Sequence, residues 1–90
     1  MLERVLTIPN VLGLHARASA QLVRLAEGFE SSITLKRCDT GDSVNAKSIL
    51  GLLGLAAGFG VKIEVIVDGA DESEAMDEIV KLILDGFGEM

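Results

Sequence analysis

Tryptophan and tyrosine are absent from this 90-residue chain and phenylalanine occurs three times, so any core must be built from aliphatic side chains. The one cysteine, Cys38, has no partner for an internal disulfide, which fits a reducing compartment. It reads as a strand-end residue without a redox role. One histidine, His15, and one cysteine cannot supply the three or four ligands of a metal site. The glycines at 51, 54, 58 and 60 match no phosphate-cradling fingerprint. Neither a metal nor a cofactor is expected. Positive charge is scarce as well: 8 Lys and Arg against 14 Asp and Glu give a formal net charge of −6. That excess argues against nucleic acid or an anionic membrane as the main partner, since both call for a basic face.

Long apolar runs are also lacking. The most apolar stretch, Ile49 to Phe59, has 11 residues interrupted by three glycines, whereas a membrane span takes roughly 20 residues. The start, Met1-Leu2-Glu3-Arg4, has neither the basic nor the apolar block of a secretion signal. The expectation is a single domain over residues 1–90, monomeric, in the cytoplasm and without membrane insertion. With 49% hydrophobic and 24% charged residues the composition is that of a folded globular chain.

The residues that are present alternate between two periodicities. Leu2 to Ile8 is rich in β-formers and stops at Pro9-Asn10. From Ala16, the residues Ala18, Leu22, Leu25 and Phe29 recur at helical spacing until Gly28 punctuates the run. Ser31 to Lys36 alternates as a strand, Asp39-Thr40-Gly41-Asp42 is turn chemistry, and Ser43-Val44 is the short return of a hairpin. Ser48 to Leu55 predicts a glycine-thinned helix, and Val61, Ile63, Val65 and Val67 form the apolar face of another strand. Asp71-Glu72-Ser73-Glu74 has capping-box form ahead of a helix with Ala75, Ile79, Leu82 and Ile83 inward, ended by Asp85-Gly86. The acidic run Asp68 to Asp77 is read as that helix start and a solvated face. The order β-α-β-β-α-β-α predicts an α+β open-faced sandwich: a four-stranded, mainly antiparallel sheet with three helices on one face.

His15 falls directly before the first periodic residue of the first helix, at or next to the N-cap. The first amides of a helix, here those of Ala16, Arg17 and Ala18, lack partners within it and point at whatever occupies the cap. A phosphoryl group on the imidazole can accept from them and interacts favourably with the helix dipole. Arg17 adds a permanent charge and a forked donor within one turn. Gly13 can relax the turn and Asn10 can brace it. On position alone His15 can equally be a solvent-facing cap with no chemistry.

The string Asn10-Val11-Leu12-Gly13-Leu14-His15-Ala16-Arg17 resembles the active-site loop of the HPr family, the histidine-containing phosphocarriers of the sugar phosphotransferase system. Asn45-Ala46-Lys47-Ser48-Ile49-Leu50-Gly51-Leu52-Leu53 is similar to that family's regulatory-serine helix. The resemblance implies that His15 takes a phosphoryl group on Nδ1 from phosphorylated Enzyme I and passes it to a histidine of an Enzyme IIA component. His15 and Arg17 are then the reacting and phosphate-contacting residues, and the amides of Ala16 to Ala18 the cradle. Where the family usually has proline after the arginine, this chain has Ala18, which restores a backbone N–H in the first turn. The resemblance also makes Ser48 a target for an HPr kinase/phosphorylase, although two more residues separate it from His15 than in the family's commonest spacing. Without the resemblance, Ser48 is an ordinary helix cap.

Ile49, Leu50, Leu52 and Leu53 cannot all face inward on a two-turn helix, so part of this ridge should be exposed as a docking surface. Ile49, Leu50 and Leu53 are the expected contacts, with Arg17, Arg24 and Lys47 as a positive rim. Two other readings share the fold. One is a regulatory partner of a transcription regulator, controlled through Ser48 with no phosphoryl relay. The other is a ligand-binding regulatory domain that works with an enzyme.

Overall fold

The computed structural model describes all 90 residues, and its elements follow in the order expected from the sequence. Strand β1 is Leu2–Thr7, helix α1 Ala16–Glu27, β2 Ser32–Arg37, β3 Ser43–Asn45, α2 Ile49–Leu55, β4 Lys62–Asp68 and α3 Glu72–Leu84, with a closing 3-10 turn at Gly86–Gly88. The strands line up as β1-β4-β2-β3, and all three pairings are antiparallel. Since β1 and β2 flank β4, and β3 and β4 flank β2, the chain forms two interlocked split β-α-β units.

Register fixes which residues meet the helices. Ile33 lies opposite Val67 and Leu35 opposite Val65, while Leu6 lies opposite Ile63. All six are buried, and they form the floor on which α1, α2 and α3 pack. The alternate positions Glu3, Val5, Thr7 and Lys36 face solvent on the other side. From above, α1 contributes Ala18, Leu22 and Ala26, α2 Leu52 and Leu55, and α3 Ala75, Met76, Ile79, Val80 and Ile83. Each of the Leu, Ile, Val and Met side chains adds about 1.5–3 kcal/mol on full burial and the alanines less, which is how a core almost without aromatics holds 90 residues together. No helix is long and apolar enough to cross a membrane.

The start of α3 departs from the expected capping box. The Asp71 carboxylate makes no cap bond to its own helix. Its oxygens accept instead from the Ser31 hydroxyl, the Ser31 amide at 3.0 Å and the Glu30 amide at 2.9 Å. The physical reason is proximity: Gly69 lies so close to Ser31 that a Cβ there would meet the Ser31 Cα at 2.6 Å, and three donors of the α1–β2 connection converge on Asp71. Those donors hold the Asp71 carboxyl below the usual carboxylate range, the Ser31 hydroxyl most strongly. One charged side chain therefore ties the loop before β2 to the helix after β4.

Candidate functional site

The loop between β1 and α1 is folded by its own short contacts. Gly13 donates to the Asn10 carbonyl at 3.1 Å, and the buried Asn10 side-chain amide donates back to the Gly13 carbonyl at 3.0 Å. Gly13 has φ +62°, and a Cβ there would lie 2.6 Å from the Ala57 carbonyl oxygen and 2.7 Å from the Gly58 Cα. Only glycine combines that backbone angle with so close an approach. The next amide, that of Leu14, donates to the same Ala57 carbonyl at 3.0 Å, and the Leu14 side chain is buried. The loop is thus clamped onto the segment that follows α2.

That segment is itself held from below. Alternation along β2 puts Arg37 on the same face as Ile33 and Leu35, and its guanidinium donates to the carbonyls of Leu55 and Ala56, both at 3.1 Å. Asp39 pairs with the same guanidinium at 2.7 Å and raises its proton affinity further. A backbone in which Ala56 adopts φ +53° is secured by these bonds to the last carbonyls of α2. Neither Arg37 nor this support was visible in the sequence.

His15 emerges at the N-cap of α1 in extended backbone, φ −73° and ψ 179°. Its ring makes no bond to the helix amides. The first amide of the helix with a backbone acceptor is that of Ser19, 2.8 Å from the His15 carbonyl, so the amides of Ala16, Arg17 and Ala18 are unspent. The Ser19 hydroxyl donates to the Leu14 carbonyl at 3.1 Å and fixes the entry into the helix from inside. Arg17 is exposed and forms no ion pair, leaving its guanidinium available beside the cap.

One neighbour of His15 has no counterpart in the sequence reading. The Glu89 carboxylate contacts the ring at Nε2 with one oxygen and accepts from the Asn10 side chain at 2.9 Å with the other. The Asn10 hydrogen bond, then the His15 contact and the Arg17 charge, hold this carboxyl below the usual carboxylate range against the cost of burial. No sequence spacing joins positions 74 apart. The visible hint was Gly86-Phe87-Gly88, an apolar residue between two flexible ones directly after a helix end. Pro9, Asn10, Val11, Leu12, Arg17, Glu89 and Met90 line a shallow cleft at this point.

Ser48 is the N-cap of α2, as the sequence predicts, and its Oγ accepts from the Gly51 amide at 3.1 Å. The Lys47 ammonium donates to the Phe29 carbonyl at 2.9 Å, just past the end of α1, while the other end of α2 leads to Ala57 beside Leu14. The two helices therefore run in opposite directions, and Ser48 sits toward the end of the pair opposite His15. Among the anticipated rim residues, Arg17 lies with His15, whereas Arg24 in the last turn of α1 and Lys47 lie toward Ser48. Between the two ends Ile49, Leu50 and Leu53 are exposed, Leu50 to 79%, while Leu52 and Leu55 turn inward. Val11 at 82% and Leu12 at 65% extend the apolar surface on the near side of His15.

Fold and site together define a small open-faced sandwich that presents a histidine at an uncapped helix start. Residues 2–85 match the family model described as the PTS HPr component phosphorylation site. The chain is 52% identical over 89 residues to the phosphocarrier protein HPr of Cupriavidus necator, covering 99% of this chain and 98% of that one. The crystal structure of HPr-C-His from Thermoanaerobacter tengcongensis superposes with a TM-score of 0.94 at 39% identity, covering 100% of this chain and 99% of that one. The Bacillus subtilis catabolite repression protein Crh, described as a domain-swapped dimer, gives a TM-score of 0.75 at 34% identity, over 96% of this chain and 97% of that one. The chain belongs to the HPr family, the phosphocarriers of the phosphotransferase system.

Proposed function

We propose that this protein is a single-domain, monomeric, cytoplasmic relay in which His15 accepts a phosphoryl group from phosphorylated Enzyme I and delivers it to Enzyme IIA components. The observation that carries this reading is the pairing of a histidine cap with three unspent amides, those of Ala16, Arg17 and Ala18. The Nδ1 lone pair attacks phosphorus and the donor's P–N bond breaks, its electrons returning to the donor nitrogen. The transferred group then meets the amides and the Arg17 guanidinium, charge-assisted partners that cost no rearrangement at the moment of transfer. Several moderate contacts suit a carrier, which must hold the group and still release it. No metal or cofactor enters this chemistry.

Donor and acceptor dock in turn on the apolar ridge of Ile49, Leu50 and Leu53, joined by Val11 and Leu12, with Arg17, Arg24 and Lys47 contributing positive charge. Phosphorylation of Ser48 by an HPr kinase/phosphorylase would place about two negative charges at the far end of that ridge and weaken docking by repulsion and desolvation. The amide of Ala18 is a donor that a proline would remove, so Ala18→Pro should shorten the lifetime of phospho-His15.

Incubation with phosphoenolpyruvate and Enzyme I tests the main claim: one acid-labile phosphate per chain, absent from His15→Ala, is the expected result. If wild-type protein takes up no phosphate while the same Enzyme I charges another HPr, the relay reading is wrong. The regulatory alternative, binding a transcription regulator through phospho-Ser48, predicts in contrast that His15→Ala leaves function unchanged.

A further inference from the structure

After α3 the chain does not trail into solvent. Gly86, Phe87 and Gly88 all adopt positive φ, at +63°, +57° and +76°. For phenylalanine that angle is rare and costs on the order of 1–3 kcal/mol, so something must hold it there. The Phe87 side chain is 3% exposed and belongs to the core, which supplies the anchor. The consequence is a fixed return of the terminus toward the β1–α1 loop, delivering Glu89 to His15 and Asn10. Residue 89 lies beyond the stretch 2–85 matched by the family model.

The chemistry of that contact is directional. An ionised carboxylate accepts hydrogen bonds and donates none, so facing the His15 ring at Nε2 it stabilises the tautomer whose proton is on Nε2. In that tautomer the lone pair is on Nδ1, the atom left without a partner within the protein. Asn10, pinned by its bond to the Gly13 carbonyl, holds the other carboxylate oxygen and so sets the direction of approach. The titratable and charged groups facing the carboxylate are His15 and Arg17; the remaining partner, Asn10, does not titrate.

The geometry points to Glu89 as a positioning residue for phosphoryl transfer: it keeps the His15 proton on Nε2 and so presents the Nδ1 lone pair to the incoming phosphorus. This rests on the reading of His15 as the phosphoryl acceptor. In the transfer, the Nδ1–P bond forms as the donor's N–P bond breaks, and each ring retains the proton on its other nitrogen. The donor ring leaves neutral. The His15 ring becomes an imidazolium, and its Nε2–H then faces a carboxylate whose hydrogen bond strengthens as that charge develops. The same contact helps the return step, because a ring protonated at Nε2 leaves phosphorus as a neutral imidazole.

Two variants and two readouts test this. Nitrogen-15 NMR of the His15 ring at alkaline pH reports the tautomer without any phosphoryl donor, and rapid-quench phosphorylation by Enzyme I reports the rate. Glu89→Ala should redistribute the ring proton between Nε2 and Nδ1 and slow transfer at least about tenfold. Glu89→Gln keeps an oxygen acceptor without the charge, so it should restore the Nε2–H tautomer and recover part of the rate. Unchanged ring signals and rate in Glu89→Ala would overturn the inference while leaving the carrier reading intact. Failure of wild-type protein to accept phosphate is the separate outcome that removes the carrier reading and this inference with it.

Discussion

Helices α1 and α2 both begin on a cap residue in extended backbone, His15 and Ser48, yet one end is closed and the other open. The Ser48 hydroxyl is short enough to fold back and accept from the Gly51 amide, so α2 satisfies part of its own first turn. The His15 ring turns away toward Glu89 and leaves the amides of Ala16 to Ala18 without acceptors. A cap that serves its helix is worth about 1 kcal/mol, and α1 forgoes it. On the proposal that His15 accepts the phosphoryl group, what α1 gains is an anion-binding end beside the nucleophile. Stability and chemistry are assigned to different helix starts in the same small domain.

Giving α1 the cap of α2 is the most drastic exchange between the two helix starts. His15→Ser should lose phosphoryl acceptance completely while the new hydroxyl stabilises the fold by about 1 kcal/mol, a rise in melting temperature of roughly 4–8 °C. Calorimetry together with phosphate incorporation checks both halves. A variant that is inactive and also less stable would mean that the His15–Glu89 contact holds more of the fold than the cap would add. Next in size is Gly13→Ala. At φ +62° with the Ala57 and Gly58 backbone in the way, the added methyl should displace the loop, cost about 1–3 kcal/mol and reduce transfer well below wild type. Normal transfer in that variant would show that the clamp onto the α2 exit does not position His15.

Wherever a local rule governs, the residues announced the structure. Alternation in Ile33, Leu35, Ile63, Val65 and Val67 marks the buried face of the sheet, and glycine, proline and turn residues mark most element ends, the end of α2 at the left-handed Ala56 being an exception. The two caps, His15 and Ser48, were also legible, since each precedes the first periodic residue of its helix. What stayed hidden depends on distant parts of the chain meeting. Asp71 had the spacing of a capping box, but three donors from the α1–β2 connection outcompete its own helix. Arg37 reaches α2 from β2, and Glu89 reaches His15 from the opposite terminus. Such partners are set by topology, which no window of neighbouring residues contains. The antiparallel course of α1 and α2 likewise separated Arg24 and Lys47 from His15, a division that composition cannot reveal.

Changes at the start of α2 have smaller effects. Ser48→Ala removes the bond to Gly51 and should cost about 1 kcal/mol, with the phosphoryl-transfer rate unchanged because His15 lies toward the opposite end of the helix pair. Ser48→Asp retains a capping oxygen, so stability should stay near wild type, while its charge beside the exposed ridge should raise the Enzyme I concentration needed for half-maximal transfer. Rates and melting temperatures of the two variants separate capping from docking. A slower Ser48→Ala protein would show that the two helix ends are not independent.

The smallest effect concerns the third cap, Asp71, and is visible only against pH. Its carboxyl is held below the ordinary carboxylate range, first by the Ser31 hydroxyl and then by the Glu30 and Ser31 amides. The unfolded chain therefore takes up this proton at a higher pH than the folded one. The contribution to stability is fully present above the unfolded value of about 4 and is lost as pH falls through the lower folded value. Asp71→Asn has no such titration. Denaturant midpoints of wild type and Asp71→Asn should differ at neutral pH and converge toward pH 3. A constant difference over that range would mean that the α1–β2 connection is fixed by shape, through Gly69 against Ser31, and that the carboxylate charge is dispensable. Convergence would place Asp71 between the other two caps: a charged side chain at a helix start that neither serves its own helix nor faces an open site, but is spent on joining two loops.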